Sequence, residues 1–286
     1  MLYLILSIFC SVTVGAIFKI ARKYETCSTQ IVGWNYFFAI ILCYVFFEPD
    51  VSSFNFSRHW PLYVPLSLLL PTVFLLLAIS IRYMGIVKTD AAQRLSLFIP
   101  ILAAWFIFGE KFNILKLAGL AVAFPAMILI LAYRKDENHG RKWIFPLLVL
   151  VGFGVIDVLF KQVALLPSPG YTTSLFFVFC GALIITALII AYDVIIRKFP
   201  MHPINPAFGA LVGIFNFGNI IFYLKAHKEF SDDPSTVFAA VNMGVIVLGS
   251  LAGIIIFKEK LTRRNYLGIA LALVAIVLIA LSQLKK

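Results

Sequence analysis

The sequence predicts an all-α membrane protein in which ten transmembrane helices form two inverted five-helix repeats around a central cavity. Three observations support this fold class. First, 62% of the 286 residues are hydrophobic and only 13% are charged, whereas a soluble domain has roughly 45–50% apolar and about 25% charged residues. Second, the chain divides into ten apolar segments long enough to span a bilayer. Third, a short motif recurs before the last segment of each half.

The ten apolar segments have lengths near the roughly 20 residues that a membrane-spanning helix requires. They lie near residues 2–20, 31–47, 62–83, 90–108, 114–133, 143–163, 173–193, 207–225, 236–257 and 264–284. The breaks between them contain turn-forming or charged residues. Proline residues within three of the segments, Pro71, Pro100 and Pro125, are expected to kink their helices.

The most polar connection runs from Arg134 to Lys142, close to the middle of the chain. Domain boundaries fall in such exposed polar linkers. We therefore expect two five-helix halves, residues 1–138 and 139–286.

A repeated motif supports this division. Segment 108–111 (Phe-Gly-Glu-Lys), followed by Gly119, recurs as segment 257–260 (Phe-Lys-Glu-Lys), followed by Gly268, at a constant offset of 149 residues. Because each half contains an odd number of spans, the second copy crosses the membrane in the opposite sense. Inverted repeats of this kind are typical of transporters.

These motifs resemble those of the drug/metabolite transporter superfamily, in its ten-helix EamA-type branch, over essentially the whole chain. In the first half the resemblance is carried by Asp90-Ala91-Ala92, Pro100, Gly109-Glu110-Lys111 and Gly119. The second half matches more loosely, since Lys258 replaces the usual glycine and Gly249 stands where Pro100 stood. The resemblance implies a central substrate cavity that opens alternately to either side of the membrane. It implies no particular substrate, because relatives carry amino acids, drugs, nucleotide sugars or sugar phosphates.

Polar side chains within the spans are the candidate site residues, because a charge near the bilayer centre costs on the order of 2.5–3.5 kcal/mol unless it faces a cavity or a partner. The candidates for substrate binding are Lys19, Arg82, Gln93, Arg94, Lys161, Asn216, Asn219, Tyr223, Lys225 and Asn242. Inversion places Lys19 and Arg82 at one mouth of the cavity and Lys161 and Lys225 at the other, where they would attract an anion. Alternatively, the basic side chains reach the membrane interface and the amides bond helix to helix.

Asp157 is the candidate coupling residue, because it is an acid inside an apolar span. It could exchange a proton or an ion during transport. The alternative is a structural ion pair with Lys161, which lies four residues later on the same helical face.

Two pairs of glycines four residues apart, Gly209 with Gly213 and Gly249 with Gly253, permit close crossings between helices. The four cysteines, Cys10, Cys27, Cys43 and Cys180, have neither metal-ligand spacing nor the pattern of a disulfide framework. We interpret the cysteines as packing residues.

Several functional classes are disfavoured. The net charge of +11 could indicate a nucleic-acid partner, but the basic residues lie mostly at the ends of apolar segments, where they anchor helices at the interface. The sequence contains no H-E-x-x-H, G-x-S-x-G or Walker motif. We therefore expect neither an enzyme nor a cofactor, and transport driven by a gradient or by exchange.

The leading functional hypothesis is a secondary transporter or exchanger of a small polar metabolite. The excess of cations over a single buried acid favours an anion or a zwitterion, such as an amino acid, an organic acid or a nucleotide- or sugar-phosphate-like compound. One alternative is a proton-coupled exporter of lipophilic or cationic drugs. Another, from a different class, is a non-transporting membrane scaffold, which would have a dry, filled core.

The expected location is the cell (inner) membrane, where the chain would be a multi-pass monomer or homodimer in contact with the lipid bilayer. Ten spans place both termini on one side. The distribution of Lys and Arg among the loops favours termini outside, whereas the resemblance implies termini in the cytoplasm. We adopt the cytoplasmic orientation as the expectation.

Overall fold

The computed structural model describes residues 1–21, 23–50, 56–131, 144–167, 170–256 and 263–284. Within these ranges it does not describe the side chains of residues 56–58, 78, 81–91, 94, 127, 130–131, 254, 280 and 283–284. The regular secondary structure of the described part is entirely helical and consists of ten α-helices: α1 (Leu2–Ala21), α2 (Ser28–Phe47), α3 (Phe56–Leu95), α4 (Phe98–Phe106), α5 (Ile114–Leu131), α6 (Ile144–Ala164), α7 (Tyr171–Ile195), α8 (Asn205–Glu229), α9 (Pro234–Ile255) and α10 (Arg263–Leu284).

The structure confirms the all-α membrane class and the number of helices. Within the described residues, seven helical stretches are long and apolar enough to cross a membrane: α1, α2, residues His59–Leu77 of α3, α6, α7, α8 and residues Pro234–Gly253 of α9. Large apolar side chains on their outer faces are exposed, for example Leu188 with 67% of its surface accessible. Such apolar patches are expected where lipid is the solvent.

The boundary between the third and fourth spans is a correction to the sequence prediction. The predicted break at residues 84–89 is absent, and α3 continues to Leu95. The only helix-weakening residue in that stretch is Gly85, and a single glycine is tolerated within a helix. Pro100 lies in the first turn of α4, where a missing N–H costs nothing, so this proline begins a helix instead of kinking one. The predicted joint from Arg134 to Lys142 and the repeated segment 257–260 lie outside the described residues.

The alternating helix directions define two faces of the bundle. The termini face holds both chain ends and the α4–α5, α6–α7 and α8–α9 connections. There the amino-terminal ammonium donates to Oε1 of Glu229 at the end of α8 (2.8 Å). The opposite face holds the α1–α2 and α7–α8 connections, where the Cys27 N–H donates to Oδ1 of Asn205 (3.2 Å).

Gln30 extends this opposite-face contact. Its Nε2 donates to the Pro200 carbonyl (3.0 Å), and its Oε1 accepts from the His202 N–H (3.1 Å) and from Asn205 Nδ2 (2.6 Å). Both Gln30 and Asn205 are buried. These bonds tie the start of α2 to the α7–α8 connection.

Helix α8 lies at the centre of the packing, in contact with α1, α2 and α6. Helix α3 packs against α6 and α7, and α5 pairs with α10. The crossing of α8 over α2 is close at Gly209 and Gly213, where an added Cβ would lie 2.1 Å from Trp34 Cβ and 2.9 Å from Phe38 Cβ, respectively. The first predicted glycine pair therefore marks a tight crossing. At Gly249, in the second pair, no atom lies within 4 Å of such a Cβ, so no close crossing occurs there.

Candidate functional site

A stripe of polar side chains runs along the inner face of α8. Asn216, Asn219, Tyr223 and His227 follow one another at spacings of three or four residues, which places them on one side of a helix. The lipid-facing side of α8 carries apolar residues such as Leu211, which is 46% exposed. We call these four residues the α8 polar stripe.

The first three members of the α8 polar stripe are bonded to three different helices. Asn216 Nδ2 donates to Asn35 Oδ1 of α2 (3.1 Å), Ser7 Oγ of α1 donates to Asn219 Oδ1 (2.8 Å), and the Tyr223 hydroxyl donates to Asp157 Oδ1 of α6 (2.9 Å). The stripe therefore joins helices from both halves of the sequence through side-chain hydrogen bonds, which is one of the ways in which polar groups are accommodated within a membrane bundle.

Asp157 faces the interior of the bundle. It lies on the side of α6 away from the exposed lipid-facing residues Ile144 and Leu148. Asp157 is nevertheless partly exposed, so some of its surface borders space inside the bundle. Its partner is the neutral Tyr223 hydroxyl, which leaves the charge of the carboxylate uncompensated by that bond.

His227 is fully buried, and neither of its ring nitrogens has a hydrogen-bond partner within the described structure. Its ring lies between the rings of Tyr223 (centroid distance 4.6 Å) and Phe238 of α9 (4.7 Å). An orphaned buried polar group of this kind is rare in a folded protein. The imidazole is therefore a polar group surrounded by aromatic rings, and it lies one helical turn from Tyr223, the partner of Asp157.

Lys161 does not pair with Asp157, so the alternative of a structural ion pair between them is not observed. The Lys161 ammonium is fully buried and donates to the backbone carbonyls of His227 (3.2 Å) and Ser231 (2.8 Å). Carbonyls at the end of a helix lack partners in their own helix and carry partial negative charge, so they attract a cation. The end of α8 thus binds Lys161, while Tyr223 binds Asp157.

The remaining predicted site residues occupy separate positions. Lys19 is partly exposed in the last turn of α1 at the opposite face, whereas Lys225 is partly exposed near the termini face, 5.5 Å from the Tyr3 ring centroid. Asn242 Nδ2 donates to the Phe238 carbonyl of its own helix (2.9 Å). Gln93 is partly buried near the end of α3. The side chains of Arg82 and Arg94 lie outside the described part of the structure.

A second polar group, which the sequence did not predict as a site, lies at the termini face. It consists of Glu110, Lys116, Asp233 and Ser235, all at most 6% exposed. Lys116 Nζ donates to Glu110 Oε1 and to Asp233 Oδ1, the latter at 2.9 Å. Glu110 also accepts from the Ser235 N–H (2.9 Å) and hydroxyl (2.5 Å). We call these four residues the termini-face cluster.

Local geometry explains how Glu110 reaches this position. Gly109 adopts a positive φ of 64°, which a residue without a side chain tolerates. The chain turns there, and the Glu110 N–H donates to the Ala104 carbonyl near the end of α4 (2.9 Å). Glu110 then accepts from the Ser235 N–H in the first turn of α9, where free N–H groups and the helix dipole favour a carboxylate. Asn113 caps α5 by accepting from the Lys116 N–H (2.8 Å).

Sequence reasoning missed this cluster because charges at the ends of spans were interpreted as interface anchors. Glu110 belongs to the repeated motif, and Asp233 directly precedes the proline that begins α9. Lys116 lies in the first turn of an apolar segment. These signals were present, but the bonds join residues 117 to 125 positions apart, a separation that helical spacing does not reveal.

Two further features bear on the site. Within the described residues no group of three or more His, Cys, Asp or Glu could hold a metal ion.

A cleft of about 530 Å³ opens at the termini face between the end of α6 and the start of α7, and its lining includes Tyr171, Lys228 and Ser231. The predicted substrate-binding residues that the structure describes do not line this cleft.

The fold and the polar interior define a polytopic helical membrane protein with charged and amide groups inside its bundle. Comparisons with known proteins specify the class further. The model of the EamA-like transporter family matches residues 1–132. A protein of Haemophilus influenzae, described as uncharacterized, is 38% identical over 283 residues, which cover 96% of this chain and 95% of that protein.

A crystal structure of a protein that is 13% identical to this chain superposes with a TM-score of 0.72, covering 98% of this chain and 96% of the other. This likeness shows a shared fold. Together, the family match and the full-length relative show that the chain belongs to the EamA-like transporter family. It is a multi-pass membrane transporter of small molecules.

Proposed function

We propose that this chain is a secondary transporter that carries a small zwitterionic or anionic metabolite by alternating access, and that Asp157 couples transport to a proton or a counter-substrate. The observation that carries the proposal is the position of Asp157. It is an interior, partly exposed carboxylate whose partner is the neutral Tyr223 hydroxyl. Ionisable groups in such positions are associated with ion pathways and proton relays.

Asp157 can couple two fluxes because its charge can be neutralised in two ways. A proton can bind the carboxylate, or the ammonium group of a substrate can pair with it. If both compete for the same oxygen atoms, the release of one accompanies the binding of the other. The Tyr223 hydroxyl can remain a donor to the unprotonated carboxylate and so hold it in position.

The distribution of the other polar groups supports a zwitterion or an anion. Lys19 lies near the opposite face and Lys225 near the termini face. One basic side chain is therefore present near each face of the bundle. Basic side chains near a mouth of the cavity raise the local concentration of anions. Asn219 lies on α8 one turn before Tyr223, the partner of Asp157. We assign Lys161 a structural role instead of substrate binding, because its ammonium is bonded to backbone carbonyls.

The helix packing supports two inverted halves, residues 1–138 and 139–286. Helix α1 packs on α8, and the corresponding helix of the second half, α6, packs on α3. The pairs α2–α7 and α5–α10 each join equivalent helices. A pseudo-two-fold relation between the halves would convert the α1–α8 contact into the α6–α3 contact and would map the α2–α7 and α5–α10 pairs onto themselves. Such a relation is expected for an alternating-access transporter with inverted repeats.

We further propose that the protein resides in the inner cell membrane with both termini in the cytoplasm, so that the termini face is the cytoplasmic face. A fluorescent reporter fused after Lys286 tests this orientation. Fluorescence of a reporter that folds only in the cytoplasm is expected, and activity of a periplasm-dependent enzyme fused at the same position contradicts it.

The substrate class is tested by a thermal-shift screen of the purified protein against amino acids, organic acids, sugar phosphates and lipophilic cations. Compounds that raise the thermal midpoint are then tested for uptake into proteoliposomes with and without a pH gradient. Stabilisation by zwitterions or anions is expected. Stabilisation by lipophilic cations alone would favour a drug exporter, and uptake of no compound would favour a scaffold.

The coupling role is tested with Asp157→Asn. We expect this variant to lose the response of uptake to the pH gradient, because an amide cannot exchange a proton in this range. Glu229→Gln is the matched control, since Glu229 is an exposed acid at the end of α8. Normal uptake by Asp157→Asn with an unchanged response to pH contradicts the coupling role.

A further inference from the structure

The termini-face cluster joins two distant parts of the chain. Glu110 and Lys116 belong to the α4–α5 turn and the start of α5, in the first half of the sequence. Asp233 and Ser235 belong to the α8–α9 turn and the start of α9, in the second half. The bonds between these pairs therefore hold the two halves together at one face of the membrane.

The cluster lies between Asp157 and the termini face. Lys161 follows Asp157 by four residues, a rise of about 6 Å along α6, and its ammonium binds the Ser231 carbonyl in the α8–α9 turn. Asp233 follows in the same turn, and Ser235 lies in the first turn of α9. The turn that carries half of the cluster therefore lies against the end of α6, on the side of Asp157 that faces the termini.

Open space borders α1 at Gly15, in the part of the helix nearer the opposite face. Gly15 lies on the same side of α1 as the buried residues Leu4 and Ile8, yet Gly15 is exposed and has no atom within 4 Å of an added Cβ. Since α1 runs from the termini face to the opposite face, Gly15 is nearer the opposite face than Leu4 is. Open space at the inner side of α1 contrasts with the closed cluster at the other end.

The chemistry of the cluster allows it to separate and re-form. Its contacts are charged or hydroxyl groups, each of which can bind water when the two turns move apart. The N–H group of Ser235 loses its carboxylate partner on separation but lies at a helix end, where water can replace that partner. A gate made of apolar side chains would instead expose apolar surface each time it opened.

We propose that the termini-face cluster is the gate that closes the transport pathway at the termini face, and that Glu110 and Lys116 must release Ser235 and Asp233 once in each transport cycle. This inference rests on the proposed transport function. The structure described above is then the state closed at the termini face. Glu110 and Lys116 act as positioning residues, since they touch the opposing turn and not the substrate.

A reversible cross-link across the gate tests the proposal. Lys111 and Asp232 are exposed neighbours of the cluster in the two opposing turns, so Lys111→Cys with Asp232→Cys, in a background with the four native cysteines changed to alanine, leaves every member of the cluster intact. We expect a short thiol cross-linker to reduce uptake at least tenfold, with the substrate-induced thermal shift retained, and reduction of a cleavable linker to restore uptake. Complete cross-linking with unchanged uptake overturns the gate.

A matched pair on the same face controls for general stiffening. Leu165 and Lys228 are exposed and line the same cleft, at the end of α6 and in the last turn of α8. Because Lys161 already ties these two ends together, cross-linking cysteines at 165 and 228 is expected to leave uptake within twofold of the uncross-linked protein. An equal loss of uptake in both pairs overturns the assignment of the gate to the cluster.

A distance measurement tests the gate without any substrate. Nitroxide labels on the same cysteines at 111 and 232 report the separation of the two turns by electron paramagnetic resonance. We expect Glu110→Gln to add a population at longer distance, because the amide loses the charged contact with Lys116. A distribution unchanged by Glu110→Gln overturns the gate. If the distances respond but no metabolite is taken up, the gate is supported and the proposed function fails.

Discussion

The close crossing of α8 over α2 makes a quantitative prediction for Gly209→Ala. The added Cβ would lie 2.1 Å from Trp34 Cβ, 3.1 Å from the Ile31 carbonyl oxygen and 3.2 Å from Trp34 Cα. Two of these three atoms are backbone, and the third is the first atom of a side chain, so none can move away by changing a rotamer. The two helices must therefore shift apart.

The magnitude follows from two opposing terms. Overpacking of a close contact costs about 1–3 kcal/mol, and the absence of a flexible neighbour places Gly209→Ala in the upper part of that range. Replacing glycine by alanine within a helix contributes about 0.5–1 kcal/mol in favour of folding. We expect a net loss of about 1–2 kcal/mol, which corresponds to a lower thermal midpoint by roughly 2–8 °C for a protein of this size.

Gly15→Ala is the matched control, because Gly15 is also within a helix but has no atom within 4 Å of the added Cβ. This variant is expected to gain about 0.5–1 kcal/mol from helix propensity alone. Both proteins are heated in detergent, and the fraction that remains monodisperse is measured by size-exclusion chromatography. Equal thermal midpoints for Gly209→Ala and Gly15→Ala would refute the reasoning from close packing.

Three further substitutions test the polar contacts, each by its thermal midpoint in detergent. Lys116→Met leaves two buried carboxylates without their cation and is expected to cost about 3–5 kcal/mol, whereas the exposed Lys111→Met is expected to change stability by less than about 0.5 kcal/mol; similar midpoints for the two variants would contradict the buried network. Lys161→Met removes two bonds to backbone carbonyls and is expected to cost about 1.5–3 kcal/mol; a cost no greater than that of Lys225→Met would show that these bonds contribute little. Asn205→Ala is expected to cost about 1–3 kcal/mol because it removes the bonds to the Cys27 N–H and to the buried Gln30 side chain, and an unchanged midpoint would argue against that role.

The number and approximate positions of the helices could be predicted because the bilayer imposes a length on each apolar segment. Asp157 stood out for a similar reason, since an acid within an apolar segment requires an explanation. The end of the third helix could not be placed correctly, because Gly85 weakens a helix without ending it and the start of α4 depends on Pro100. The local sequence does not show whether the break between the two helices falls at Gly85 or just before Pro100.

Hydrogen-bond partners on other helices could not be predicted from the sequence. Asp157 could have paired with Lys161 on its own helix, but its partner is Tyr223, 66 residues later. Lys161 instead binds carbonyls that any residue type would supply, so no pattern of side chains could have indicated them. The Ser235 partner of Glu110 could not be predicted for a different reason, since it depends on which turns meet at the termini face.

The hydrogen bonds of Gln30 and Asn205 have a consequence for where the other mouth of the pathway can form. They fasten the α1–α2 connection to the α7–α8 connection, so the ends of four helices are held as one block on that side of the membrane. A passage between those four ends would require these buried bonds to break. For the proposed transport pathway, we therefore expect solute to pass beside the block, along its boundary with the helices of the remainder of the bundle.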